Sequence, residues 1–409
     1  MKKLLITGGI IVLLVAAYFV SVSVLSRQVR DLRRAVRAAG HPTTFKELKT
    51  HQAPGSEELS RLLAQADTAL DEKTEKQPLA RSDSAPLDPA EGKALLARNA
   101  RALDLLLSAA RFPPASIPFD PGKGIAAQLP PTLKRTFDFG ALLRLKARDL
   151  LAAGNADEAM DVLTSDLHLA DLLPGEAALI FTLVRATDLN RTLRVMRDVG
   201  PKCSDPARAR AADAVAALAS DKEFLRVWEA EYVMMDEYLA RPSVSQLGLA
   251  NADNLLNRVL IFFPLTNLIA QRFNQTIHQR CLELAARPWY EVHRQWDSLD
   301  QLQRRRSRQH SPFAGLMLPN GKLFATRLAK LQAERAVTLT GLRILQYGQG
   351  HHTFPATLAD IPARDVVDPF TGKPLNYRPV GTGFRLYSTG EDQQDNGGDP
   401  RADIAWSVE

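Results

Sequence analysis

Cysteine is nearly missing from this chain: 409 residues contain two, Cys203 and Cys281. They lie far apart and neither stands in a metal-ligand pattern, which excludes a disulfide framework; one disulfide is open to them and nothing requires it. Charge of one sign is scarce as well. The net charge is +6, and much of the excess sits in two clusters, after the apolar N-terminus and at Arg304-Arg305-Arg306-Ser307-Arg308. That distribution, with no aromatic-and-basic motif, excludes a nucleic-acid footprint spread over a face. Catalytic signatures are missing too. There is no Gly-x-Ser-x-Gly elbow, no phosphate-binding Gly-rich loop, no dinucleotide fingerprint and no His-Glu-x-x-His helix.

What is there begins with composition. Hydrophobic residues make up 45% and charged residues 24%, ordinary globular values, and the length predicts two or three domains. Leu4 to Leu25 form an uncharged, mostly apolar run. At ~1.5 Å per residue it spans roughly the ~30 Å hydrocarbon core of a bilayer. The best signal-peptidase candidate, around Ser21-Val22-Ser23, is poor, so the run reads as an uncleaved anchor. Lys2 and Lys3 precede it while Arg27, Arg30, Arg33, Arg34 and Arg37 follow, a bias that by itself would leave the C-terminal part in the cytoplasm.

A helical middle follows. Gly40-His41-Pro42 breaks a helix leaving the membrane. Leu59, Leu62, Leu63 and Ala66 recur at helical spacing after a Ser56-Glu57-Glu58 start, and Leu96, Ala100, Leu103, Leu106 and Leu107 form a second apolar side. Residues 71–91 read as a loop, and the prolines from Pro113 to Pro131 as an irregular surface crossing. Two apolar helices between Leu142 and Leu173, separated by Ala153-Gly154-Asn155, resemble one tetratricopeptide-type hairpin without a repeat. Further helices are predicted at 175–198, 205–219, 221–240, 252–285, 288–304 and 323–347, with prolines near the boundaries. Leu255 to Ala270 is apolar but interrupted by Asn257, Arg258, Pro264 and Asn267, and reads as a buried helix pair, with a membrane-surface contact as the alternative.

Few residues in this middle invite chemistry. Asp166 and His168 fall on different helix faces, and His278 with Cys281 read as a surface imidazole beside a packed thiol. Adjacent His351 and His352 form a solvated turn. Glu223, Glu229, Glu231, Asp236 and Glu237 read as an exposed acidic helix face; acid and base work by Glu229 or Glu231 is the competing reading.

The C-terminal segment changes period. Leu375-Asn376-Tyr377-Arg378, a turn at Pro379 to Gly383 and Phe384 to Ser388 read as a hairpin, with Phe384 and Leu386 on one face and Arg385 and Tyr387 on the other. Asp403 to Ser407 forms a last strand, and the intervening loop crowds Gly390, Glu391, Asp392, Asp395, Asn396, Gly397, Gly398 and Asp399. Crowded carboxylates repel unless a cation or water separates them, and glycines let carbonyls turn inward. From spacing alone a calcium loop and a solvated turn both stand.

From Phe324 to Trp406 the chain resembles the soluble part of the major pseudopilin of type II secretion systems. The likeness rests on Phe354-Pro355, Asp368-Pro369, Tyr377-Arg378, the Ser388-x-Gly390-x-Asp392 loop, Gly397-Gly398, and an acid opening a strand that ends near Trp406. The resemblance implies a calcium ion held by Asp392, Asp403 and the Thr389 carbonyl, with Asp395 and Asp399 beside them, in a calcium-rich compartment outside the cytoplasm. This chain departs from that family in having Gly8-Gly9-Ile10 and no acid before Asp31, so processing and polymerisation as a pilin are not expected.

The expectation is therefore a mainly α protein of the bacterial envelope. It would have an anchor at 1–26, an irregular helical bundle or hairpin stack at 27–322 and a small α+β, pseudopilin-like module at 323–409. It would be single-pass in the inner membrane with its bulk in the periplasm. The expected role is a non-catalytic scaffold or assembly factor meeting other envelope proteins, with an envelope hydrolase as the alternative.

Overall fold

The computed structural model describes residues 2–48, 56–70, 88–112, 131–171, 179–218, 221–240, 263–310, 320–361 and 367–409. The proline crossing at 113–130, most of the 71–91 loop and the stretch 252–262 lie outside them. Among the described residues the chain forms twelve α-helices and one three-stranded sheet. The helices are α1 (Lys2–Ala38), α2 (Ser56–Ala69), α3 (Pro89–Arg98), α4 (Ala100–Ala109), α5 (Pro131–Ala152), α6 (Ala156–Asp171), α7 (Leu179–Val199), α8 (Asp205–Ala217), α9 (Asp221–Ala240), α10 (Pro264–Ala285), α11 (Trp289–His310) and α12 (Gly321–His351). The strands are β1 (Asn376–Val380), β2 (Gly383–Ser388) and β3 (Ile404–Val408).

Local chemistry sets the boundaries. Asp88 accepts hydrogen bonds from the N–H groups of Ala90 (2.9 Å) and Glu91 (3.4 Å), and Pro89 takes the first helical position, where its missing N–H costs nothing. The α5–α6 hairpin turns at Gly154, whose φ of +86° lets Asn155 N–H return to the Leu150 carbonyl at 2.9 Å. Asn320 caps α12 through Leu323 N–H at 2.9 Å, and α12 stops where His352 turns left-handed at φ 56°.

Two hydrophobic cores share α12. The larger joins α2 to α8, the length of α12 from Ala329 to Leu345, and the sheet residues Phe384, Leu386, Ile404 and Trp406. The smaller gathers Val36 of α1, Trp228 and Tyr232 of α9, Ile277 of α10, Trp296 of α11 and Phe324 of α12. The strands are antiparallel in the order β1-β2-β3, with Leu386 opposite both Tyr377 and Trp406. They lie on α12 because Gly341 clears the space. A β-carbon there would come within 2.1 Å of the Trp406 ring. A glycine inside a helix costs about 0.5–1 kcal/mol relative to alanine, and burying the Trp406 indole offsets it. Position 322 thus falls inside a helix that serves both cores, and position 26 falls inside α1.

Candidate functional site

The loop between β2 and β3 holds the residues singled out as cation ligands. Gly390, Gly397 and Gly398 all take positive φ, so the backbone coils tightly, and at Gly398 a β-carbon would press on Arg385 and Tyr387 at about 3 Å. Asp395 accepts Tyr387 O–H (2.8 Å) and Gly397 N–H (2.9 Å), which hold its carboxyl below the usual range. Asp399 accepts from the Arg401 side chain and backbone, with the same effect. Asp392 is exposed and accepts Gln394 N–H at 3.0 Å. Thr389 is buried, and both its N–H and its hydroxyl donate to Asp368.

Asp403 differs. It is 5% exposed; its Oδ2 accepts Gly398 N–H at 2.7 Å, and its Oδ1 is buried without a hydrogen-bond partner. Burial pushes its carboxyl up, against the pull of Gly398 and Asn396. Asn396 in turn reaches Asp392 at 3.4 Å, so it sits between the two acids. Among the described residues no three Asp, Glu, His or Cys side chains form a metal-holding group. A cation here would rest on Asp403, Asp392 and carbonyl oxygens. Asp392, Asp395 and Asp399 all already accept protein donors, Asp392 from Gln394 N–H and the Asn396 amide.

Asp368 was legible only as part of an Asp-Pro turn. Its carboxylate is 1% exposed and takes four donors: Phe370 N–H, Ser388 O–H, and the N–H and O–H of Thr389. It ties that turn to the end of β2, where the loop starts.

In the helical body the acids of α9 overturn one expectation. They do not form an exposed face. Glu231 is 6% exposed and Asp236 1%, Glu229 and Glu237 are half-buried, and the side chain of Glu223 lies outside the described residues. Apolar neighbours on both sides of α9 bury it from two directions, which charge spacing does not reveal. Glu231 accepts Leu179 N–H at 3.2 Å, and burial pushes its carboxyl up to about 7. Glu229 pairs with His41 Nδ1 at 2.8 Å. Asp236 accepts Arg33 Nε and Gln275 Nε2, both at 2.7 Å. His278 is also corrected. It is fully buried against Trp228 and Tyr232, where burial pushes its imidazole down to about 4. Asp166 and His168 do face apart: His168 hydrogen-bonds the Phe112 carbonyl, whereas Asp166 joins a buried cluster.

That cluster escaped sequence reasoning. Arg144, 0% exposed, donates to Asp166 (3.0 Å), Asp188 (2.9 Å) and Thr192 (3.1 Å), binding α5, α6 and α7 together. Burial and the second carboxylate push Asp166 up to about 7 against the pull of Arg144. Gly140 makes the room, since a β-carbon there would lie 2.6 Å from Arg144 and Asp188. The available signal was a lone arginine within Gly140 to Leu145, an otherwise uncharged run. A similar buried acid, Glu334 of α12, receives Arg194 and Arg197 of α7.

The last feature is α1. From Gly9 it has a mean hydropathy of 2.4 in its most apolar stretch, none of it buried, so it is long and apolar enough to cross a membrane. Tyr18, Val22, Leu25, Val29, Leu32 and Val36 lie on one side at alternating three- and four-residue steps and are all half-buried or buried. This seam and the Arg33–Asp236 pair dock α1 against α9 and α10.

Fold and site together define a mainly helical protein with one apolar N-terminal helix and a small C-terminal antiparallel sheet. No family model, curated protein or solved structure matches the chain.

Proposed function

We propose that this protein is a membrane-anchored scaffold or assembly factor of the bacterial envelope, with its body in the periplasm and a C-terminal module stabilised by calcium. One observation carries the reading: α1 is a single helix whose first half exposes Ile10 to Val15, Phe19 and Val20 and whose second half is built into the core through Val29, Arg33 and Val36. A helix so fastened transmits the position of the membrane rigidly to the body. Cleavage near Ser21 to Ser23 would cut through the packed seam, which favours an uncleaved anchor. The scaffold role is supported by buried acids of the described body that are already engaged within the fold. Glu231 contacts backbone, Asp166 and Asp188 share Arg144, and Glu334 meets two arginines. An open groove of about 540 Å³ beside α12, lined in part by Trp289, Tyr290, Val367 and Pro369, offers a surface to partner proteins. The hydrolase reading retains only the His41–Glu229 pair, because Glu231 is sealed from substrate.

In the calcium proposal Asp403 Oδ1 supplies a buried oxygen without a hydrogen-bond partner, Asp392 an exposed carboxylate linked to it through Asn396, and the Thr389 carbonyl a neutral ligand. Bound calcium would neutralise Asp403 and fix the loop to the head of β3. Two measurements test the reading. The full-length chain should stay in the membrane pellet after alkaline washing and come out with detergent, whereas recovery as a shortened soluble product would refute the anchor. Calcium in excess should raise Tm by the equivalent of about 1–3 kcal/mol if its Kd is in the 10⁻⁴–10⁻³ M range, and Asp403→Asn should abolish that rise. No response in the parent protein would remove calcium from the reading.

A further inference from the structure

We propose that the first turns of α10, Phe263 to Ile269, are immersed in the same bilayer leaflet as the body-proximal part of α1, so that the body is seated in the membrane on a second apolar foot. The inference rests on the reading of α1 as a span.

Two contacts fix the register of the helices. The Tyr18 and Phe263 rings meet with centroids 5.7 Å apart. Further along, Arg33 and Gln275 donate to the two oxygens of Asp236. Between these marks α1 advances about fifteen residues and α10 about twelve, roughly 22 and 18 Å at the helical rise. The two helices therefore run side by side in the same direction, away from the membrane. Tyr18 lies about seven residues, roughly 10 Å, inside the apolar run that ends at Leu25. Whatever depth Tyr18 has, the start of α10 shares it.

The charges agree with this register. After its apolar run α1 meets its first charge at Arg27, and α10 has none until Arg272, which the register places level with Arg27. Both are exposed, as are Arg30 and Arg34, with Asp31 paired to Arg27 and Arg34, so a net-cationic band about 10 Å deep crosses both helices, suited to lipid phosphates. The C-terminal end of α9 reaches the same height, where Gln271 donates to the Leu239 carbonyl at 3.0 Å. Below it, Phe263 is 45% exposed, Pro264 is exposed and Leu265 to Ile269 are half-buried, with no ionisable group among them. Above it, α10 alternates buried residues with exposed Arg272, Arg280 and Glu283, the pattern of a helix facing water. Residues 263–269 are thus less buried than the buried-helix expectation for Leu255 to Ala270, of which 255–262 lie outside the described residues. The exposed side is covered by acyl chains, not by protein, because α1 carries the bilayer to that depth.

The test is depth-dependent fluorescence quenching on the full chain in phosphatidylcholine–phosphatidylglycerol vesicles. Cys203 and Cys281 are buried, so a thiol-reactive fluorophore reports on introduced sites. Phe263→Cys and Pro264→Cys, each at an exposed position, should show blue-shifted emission, quenching by acyl-chain nitroxides and loss of quenching by aqueous iodide, matching Val15→Cys in the span. Arg272→Cys should show the reverse. If the labels at 263 and 264 follow Arg272→Cys while Val15→Cys stays in lipid, the second foot is refuted and the anchor stands. If neither quencher reaches them, protein covers the site and the proposal is equally refuted. If Val15→Cys is also quenched by iodide, the span itself fails.

Discussion

The acids of the helical body and the acids of the C-terminal loop are the same residue types in opposite circumstances. In the loop they crowd in sequence, yet Asp392 and Asp395 stay in water and Asp399 spends its oxygens on Arg401. In the body they are sparse, yet Asp166, Asp188, Asp236 and Glu334 lie at 1% exposure, each held by an arginine. Crowding in sequence is cheap when the chain turns outward. A solitary acid on a helix is costly when that helix is surrounded, and the costly ones hold the architecture. Asp403 is the exception, a loop acid with the burial of a body acid.

Predictions that would break this comparison run from large to small. Arg144→Met strands Asp166 and Asp188 in the core and should cost about 3–5 kcal/mol in denaturant unfolding. A loss near zero would mean that the cluster is not closed to water. Gly341→Ala should cost about 1–3 kcal/mol by driving a methyl group into the Trp406 ring, with loss of near-ultraviolet tryptophan signal.

Glu231→Gln tests burial through pH. With a folded pKa of about 7 against the usual 4.5, the folded state keeps a proton that the unfolded chain releases between those values. The parent therefore loses stability as pH rises through that window, by at most about 1.4 kcal/mol per pH unit. The Tm advantage of Glu231→Gln over the parent should grow from pH 5 to pH 8, and a constant difference would refute the buried carboxylate. His278, held neutral, works in the opposite sense, losing stability as pH falls below 6.5, and cancels in that difference. At the small end, Asp399→Asn should leave Tm unchanged at neutral pH, because an exposed pair contributes little. A clear drop would move Asp399 into the structural class.

Much of the fold was readable. The α5–α6 hairpin turns at Gly154, as Ala153-Gly154-Asn155 foretold, and Phe384 to Ser388 form a strand of the hairpin as expected, because helix and sheet periods are properties of neighbouring residues. Tyr387, expected on the face opposite Leu386, is buried as well. The hairpin turn is tighter than the predicted Pro379 to Gly383, with Gly381 at positive φ. The candidate site was readable only as a list. Which loop oxygens are already occupied depends on Tyr387, Gly397 and Arg401, and spacing cannot assign those donors.

By itself the sequence determined the apolar N-terminal run, the helical character of the body, the hairpin at the C-terminus and the glycines on which its loop coils. All follow from local periodicity and backbone freedom. Only the tertiary structure decided that α9 is enclosed, that Arg144 gathers two carboxylates from other helices, that α12 serves both cores, and that α10 begins beside Tyr18. Each of these depends on which distant helix covers a given face, because burial and charge pairing belong to the neighbours a residue meets in space and not to those beside it in the chain.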